Sequence, residues 1–90
     1  MKVKKRSGHL QNFDMQKIML TLERVSDDQN QPFTGSDLKL LENAIEKEVK
    51  NLKKDIISSR EILNIVIKAL EELGFKAIMK AYWEFGRYHK

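Results

Sequence analysis

Five cations and one carboxylate crowd the first 17 residues: Lys2, Lys4, Lys5, Arg6 and Lys17 against Asp14. They account for the whole formal net charge of +4, because the remaining 12 basic and 12 acidic side chains lie in residues 18–90 and cancel. The chemistry such a confined group performs is anion binding. Gly8 follows the run Lys4-Lys5-Arg6-Ser7, where a tight turn would let backbone amides approach an anion. Lys17 falls about one helical turn after Asp14 and could point back at the same anion. On charge alone, a solvated basic tail is the commoner outcome of such a run.

Other reactive types are sparse. His9 and His89 stand at opposite ends of the chain and share no metal-ligand spacing with each other or with carboxylates. Both are expected in solvent. Ser58 and Ser59 have no histidine near them in sequence and read as helix caps rather than nucleophiles. No glycine-rich phosphate loop of the ATPase kind is present. With no cysteine, a disulfide framework, a thiol nucleophile and a cysteine zinc site are excluded. The aromatic group Tyr82, Trp83, Phe85 and Tyr88 offers either core packing or, through Trp83, a stacking or partner surface.

The elements that must position these residues follow from periodicity. Two short strands, Lys2–Lys5 and Leu10–Phe13, are expected to flank a turn at Gly8. Asp14 suits a helix N-cap, and Met15, Ile18, Leu22 and Val25 form one apolar stripe behind it. Residues 27–35 read as a loop containing the single proline. Ser36 is expected to cap a second helix carrying Leu38, Leu41, Ile45, Val49 and Leu52. Asp55-Ile56-Ile57 could add a third strand. Ser58 and Glu61 form a capping-box pattern for a third helix with Ile62, Val66, Ala69, Leu70 and Leu73, ending at Gly74. Phe75, Ile78, Met79, Tyr82 and Phe85 give a fourth stripe. The expected fold class is α+β and mainly helical: a four-helix bundle capped by a small two- or three-stranded β-sheet.

Ninety residues with 41% hydrophobic content make one small domain, expected to span 1–90. A chain of this length is too small for a separate catalytic domain beside a binding domain, so an enzyme it regulates is expected on another chain. No apolar run approaches the roughly 18 residues that span a bilayer, and the basic start leads into no apolar stretch of the signal-peptide kind. A cytoplasmic location is expected.

Lys5-Arg6-Ser7-Gly8, then Phe13-Asp14, then Lys17-Ile18, with Ala81-Tyr82 and Arg87 near the end, resembles the ATP-cone. That is the adenine-nucleotide-sensing domain found at the N-terminus of many ribonucleotide reductases and, behind a zinc ribbon, in the repressor of reductase genes. The likeness covers roughly residues 2–88. It implies a free-standing, non-catalytic regulatory domain that binds ATP or dATP, with Mg²⁺ as an accompanying ion. By position, Val3, Lys4, Lys5, Arg6 and Gly8 belong to the hairpin that covers the nucleotide. Gln11 and Asp14 fall where base or sugar is contacted, Lys17 at the phosphate-binding lysine, and Ser59 at a hydroxyl near the phosphates. Leu63 stands where some reductase cones place a histidine, and Arg87 is a basic contact from the last helix.

Ser7 departs from the usual Asp or Asn of the turn, and Leu63 puts discrimination between ATP and dATP in doubt. The implied partners are an adenine nucleotide, a ribonucleotide reductase or another regulated protein, and a further copy of the chain. Two alternatives remain in view. One is a nucleic-acid-binding transcriptional regulator, disfavoured because no zinc ribbon is present. The other is a degenerate cone kept only for protein interaction.

Overall fold

The computed structural model describes residues 1–88, with side chains described through residue 84. Seven elements follow in chain order: β1 (Lys2–Lys4), β2 (Leu10–Asn12), α1 (Met15–Asp28), α2 (Gly35–Asn51), β3 (Ile56–Ser58), α3 (Ser59–Glu72) and α4 (Lys76–Tyr88). This is the α+β arrangement the sequence predicts: four helices and a small sheet.

Each helix turns its apolar stripe to one shared core. Leu22 from α1, Leu41 and Ile45 from α2, Val66 and Leu70 from α3, and Ile78 from α4 are fully buried. Burying such a side chain contributes about 1.5–3 kcal/mol, so the core is the main source of stability. The helices pack as a ring, each against its sequence neighbours, with α4 closing on α1. An edge-to-face contact between Phe33 and Phe75, centroids 4.9 Å apart, ties the α1–α2 connection to the start of α4.

Local chemistry sets the helix ends. Asp14 caps α1, its carboxylate accepting from the Lys17 amide. Asn30, at φ 56°, ends α1: its amide reaches the Asp27 carbonyl and the Gln31 amide reaches Ser26. The cap of α2 is Thr34, not Ser36. The Thr34 hydroxyl accepts from the Asp37 amide at 3.1 Å, and the Asp37 carboxylate accepts from the Thr34 amide at 3.1 Å. Ser36 lacks this reciprocal acid three residues on, since position 39 is a lysine, so the helix starts earlier. Ser58 and Glu61 form the expected capping box on α3. Gly74, at φ 86°, ends it: the Phe75 amide bonds to the Leu70 carbonyl at 2.8 Å and the Gly74 amide to Glu71 at 3.1 Å.

The sheet has the order β2-β1-β3. β1 runs antiparallel to β2, with Val3 opposite Gln11, and parallel to β3, with Val3 opposite Ile57. The hairpin closes through Arg6-Ser7-Gly8. The Gly8 amide bonds to the Lys5 carbonyl and the Lys5 amide to the His9 carbonyl, each at 2.8 Å. This is a three-residue loop with its left-handed position at Gly8, φ 87°. Each strand is one residue shorter than the sequence suggests: Lys5 and Phe13 still donate their amides across the hairpin, to the carbonyls of His9 and Met1, but lie beyond the last paired residues.

Candidate functional site

Alternation along β1 sorts its residues by face. Val3 is buried with Ile57 on the face turned toward the helices, and Lys2 and Lys4 are exposed. Lys4 pairs with Leu10 on one side and Ser58 on the other. Lys5 follows the strand and is half-buried.

Between the sheet and the helices lies an open cleft of about 160 Å³. The sheet side contributes Val3, Lys5 and Gln11. The end of β2 contributes Asn12, the link into α1 contributes Phe13 and Asp14, the first two turns of α1 contribute Lys17, Ile18 and Thr21, and the start of α3 contributes Ser59 and Ile62. Two helix N-termini therefore converge on one hollow, and each presents positive backbone charge there. A second depression of about 230 Å³ adjoins it, lined by Lys5, Arg6, Ser7 and Ser59. Lys5 and Ser59 belong to both, so one hollow with apolar walls opens into another rimmed by cations.

The convergence has a topological cause. Parallel pairing sets the end of β1 beside the end of β3, and α3 begins at the very next residue, Ser59. Ligand crevices form at the carboxyl ends of parallel strands for this reason. The Ser58 hydroxyl already accepts from the Glu61 amide at 3.0 Å, and the Glu61 carboxylate accepts from the Ser58 amide. Hydrogen bonds from Lys54 and the Ser58 amide hold the Glu61 carboxyl below its ordinary value. The Arg60 amide stands ahead of the first intrahelical bonds, and the Ser59 amide stands opposite the Lys4 carbonyl at the end of the parallel ladder.

The electrostatics are one-sided. Among the described residues the ion pairs are Lys50–Glu46 and Lys54–Glu61, each at 2.9 Å. Neither involves Lys5, Arg6 or Lys17. The single carboxylate lining the cleft, Asp14, already accepts from the Lys17 amide at 3.3 Å. Lys5, Arg6 and Lys17 are thus left to pair with an anion from outside.

Of the residues predicted for the site, Val3, Lys5, Gln11, Asp14, Lys17 and Ser59 line the cleft, and Arg6 lines the adjoining depression. Lys4 is on the opposite face of the sheet from Val3. Gly8 shapes the turn: a Cβ there would meet open space, so its requirement is conformational and not one of close approach. Leu63 is not at the cleft. It is buried in the helical core, one residue past Ile62, because α3 turns that side of its surface to the bundle. The side chain of Arg87 lies outside the described residues, as do those of Phe85 and Tyr88; His89 lies outside them altogether. Trp83 is 38% exposed and Tyr82 buried, so the two neighbours divide between surface and core.

Asn12, Phe13, Ile18, Thr21 and Ile62 line the cleft without having been singled out for the site. Helical spacing carries the signal: Ile18 is four residues after Asp14, Thr21 four after Lys17, and Ile62 three after Ser59.

The ATP cone domain family model matches residues 1–90. The chain belongs to the ATP-cone family. No match was found among curated proteins. ATP cones bind adenine nucleotides and serve as nucleotide-sensing regulatory domains. The fold described above, with its helical bulk and three-stranded sheet, is consistent with that membership. Among the described residues, no helix of this ATP cone is long and apolar enough to cross a membrane.

Proposed function

We propose that this ATP cone binds ATP or dATP in the cleft beneath the hairpin and transmits its occupancy to a partner chain without catalysing a reaction itself. The base and sugar lie against Val3, Phe13, Ile18 and Ile62, with Gln11 and Asp14 at hand for polar contacts. The phosphates extend toward Lys5, Arg6, Lys17 and the first amides of α3, with the Ser59 hydroxyl beside them. The observation that carries this reading is the half-buried Lys5, without an acidic partner, at the junction of both hollows and beside a helix N-terminus. A triphosphate brings about four negative charges, and three cations plus oriented amides offset them.

Among the described residues no group of three or more His, Asp or Glu side chains could hold a metal. Any Mg²⁺ would arrive with the nucleotide, whose phosphate oxygens are its usual ligands beside water and one or two carboxylates. The regulated partner is a ribonucleotide reductase, or the machinery controlling its genes, in the cytoplasm. A module of this size acts by binding nucleotide more tightly in one assembly state than in another, for which a coupling of about 1–3 kcal/mol suffices.

Titration calorimetry with ATP, dATP and GTP tests the proposal. Sub-millimolar binding of the adenine nucleotides is expected. Lys17→Ala should weaken it by about 1.5–3 kcal/mol, the range for a charged hydrogen bond. Absence of adenine-nucleotide binding overturns the proposal, and an unchanged affinity in Lys17→Ala removes that lysine from the site.

A further inference from the structure

We infer that Thr21 is a specificity-determining residue, reading the amino group of the bound base. The inference rests on the nucleotide-binding reading above. Thr21 sits on the second turn of α1, half-buried, in the cleft wall shared with Ile18 and Ile62. Its hydroxyl donates to the Lys17 carbonyl at 2.9 Å. Both Lys17 and Thr21 line the cleft.

A hydroxyl has one hydrogen to give and two lone pairs to receive with. The hydrogen of Thr21 is committed to the helix backbone. What remains toward the cleft is an acceptor alone, and its natural complement is a donor. The 6-amino group of adenine is one. The 6-oxo group of hypoxanthine or guanine would set oxygen against oxygen, with neither able to supply the hydrogen.

The other polar groups do not impose this choice. Gln11 carries both an amide oxygen and an NH₂, and rotation exchanges them. Asn12 has its oxygen engaged by the Lys2 ammonium at 2.6 Å. Lys5, Lys17 and Ser59 belong to the cationic end. Asp14 is also an acceptor, but it stands at the head of α1 and holds the first-turn amide. Thr21 is thus the acceptor fixed among the apolar wall residues, where a mismatched oxygen would face another acceptor with no donor between them.

ATP and inosine triphosphate differ at the amino/oxo position and in the ring protonation that accompanies it, and so isolate the contact. Titration of the wild-type chain with both should show ATP bound at least about tenfold more tightly. Thr21→Val keeps the shape and removes the acceptor. It should weaken ATP about fivefold, leave inosine triphosphate within about twofold, and so shrink the ratio. Thr21→Ser restores the acceptor and should return the ratio to within about twofold of wild type. If Thr21→Val weakens both nucleotides equally, its role is structural and the inference is overturned. It is equally overturned if wild type binds ATP without preferring it. Failure of wild type to bind either nucleotide is a failure of the proposed function itself, and is read separately.

Discussion

Lys4 and Lys5 are adjacent in sequence yet serve opposite sides of the sheet. Lys4 lies on the exposed face between Leu10 and Ser58, and Lys5 lines the cleft. Lys5→Ala should therefore weaken ATP binding by about 1.5–3 kcal/mol, and Lys4→Ala should leave it within a few tenths. Paired calorimetric titrations at one salt concentration decide the matter. Equal losses in both variants would point to a diffuse charge effect and dissolve the distinction between faces.

The turn is set by a single backbone angle. Gly8 is at φ 87° with open space around it, so an added side chain meets strain and no clash. Gly8→Ala should destabilise the fold by about 1 kcal/mol, and Gly8→Asn by less, because asparagine tolerates the left-handed region. Urea denaturation of the two variants measures the difference. A larger loss for Asn than for Ala would contradict it.

Ser58→Ala removes the acceptor for the Glu61 amide and should cost about 0.5–2 kcal/mol. Glu61 adds an acid dependence. Its folded-state value is lowered below 4.5, first by Lys54 and then by the Ser58 amide, so its stabilising contribution is present above 4.5. That contribution disappears as pH falls through the lowered value. Glu61→Gln should flatten the stability profile in that acid window, and a profile identical to wild type would exclude Glu61 as its source.

At the alkaline end the relevant group is Tyr82. Burial pushes its phenol from 10.0 up to about 12. The folded state therefore favours the neutral ring. Its contribution is complete below pH 10 and is lost as pH rises from 10 toward 12, a change of about 2–3 kcal/mol. Tyr82→Phe should remove this part of the pH dependence, as followed by thermal denaturation between pH 9 and 12 with tyrosine absorbance as the probe of ionisation. An unshifted phenol titration in the folded wild type would refute it.

Features fixed by neighbours three or four residues apart were legible in the sequence. The apolar stripes, the Asp14 cap, the Ser58–Glu61 box and the stop at Gly74 are all of this kind. The choice of Thr34 over Ser36 was less so, since each carries a hydroxyl before an apolar run. The reciprocal bond from Asp37 decides it, and that requires checking each candidate cap against its third successor. The cleft depends on pairing between distant segments. Alternation along β1 separates Lys4 from Lys5, but without the β1–β3 register the placing of Lys5 near Ser59 could not be foreseen. Leu63 illustrates the same limit: motif position assigns it to the nucleotide, while the turn of α3 directs it into the core beside Val66 and Leu70.

The parallel partnership of β1 and β3 also has a meaning for synthesis. Val3 leaves the ribosome well ahead of Ile57, with all of α1 and α2 translated between them. At roughly 5–20 residues per second, β1 waits on the order of 3–10 s with one edge uncovered. Throughout that interval the α3 amides and Ser59 do not yet exist beside Lys5. On the proposed site, a nascent chain lacking α3 presents only part of the phosphate grip, and nucleotide capture would report that translation has passed the middle of the domain.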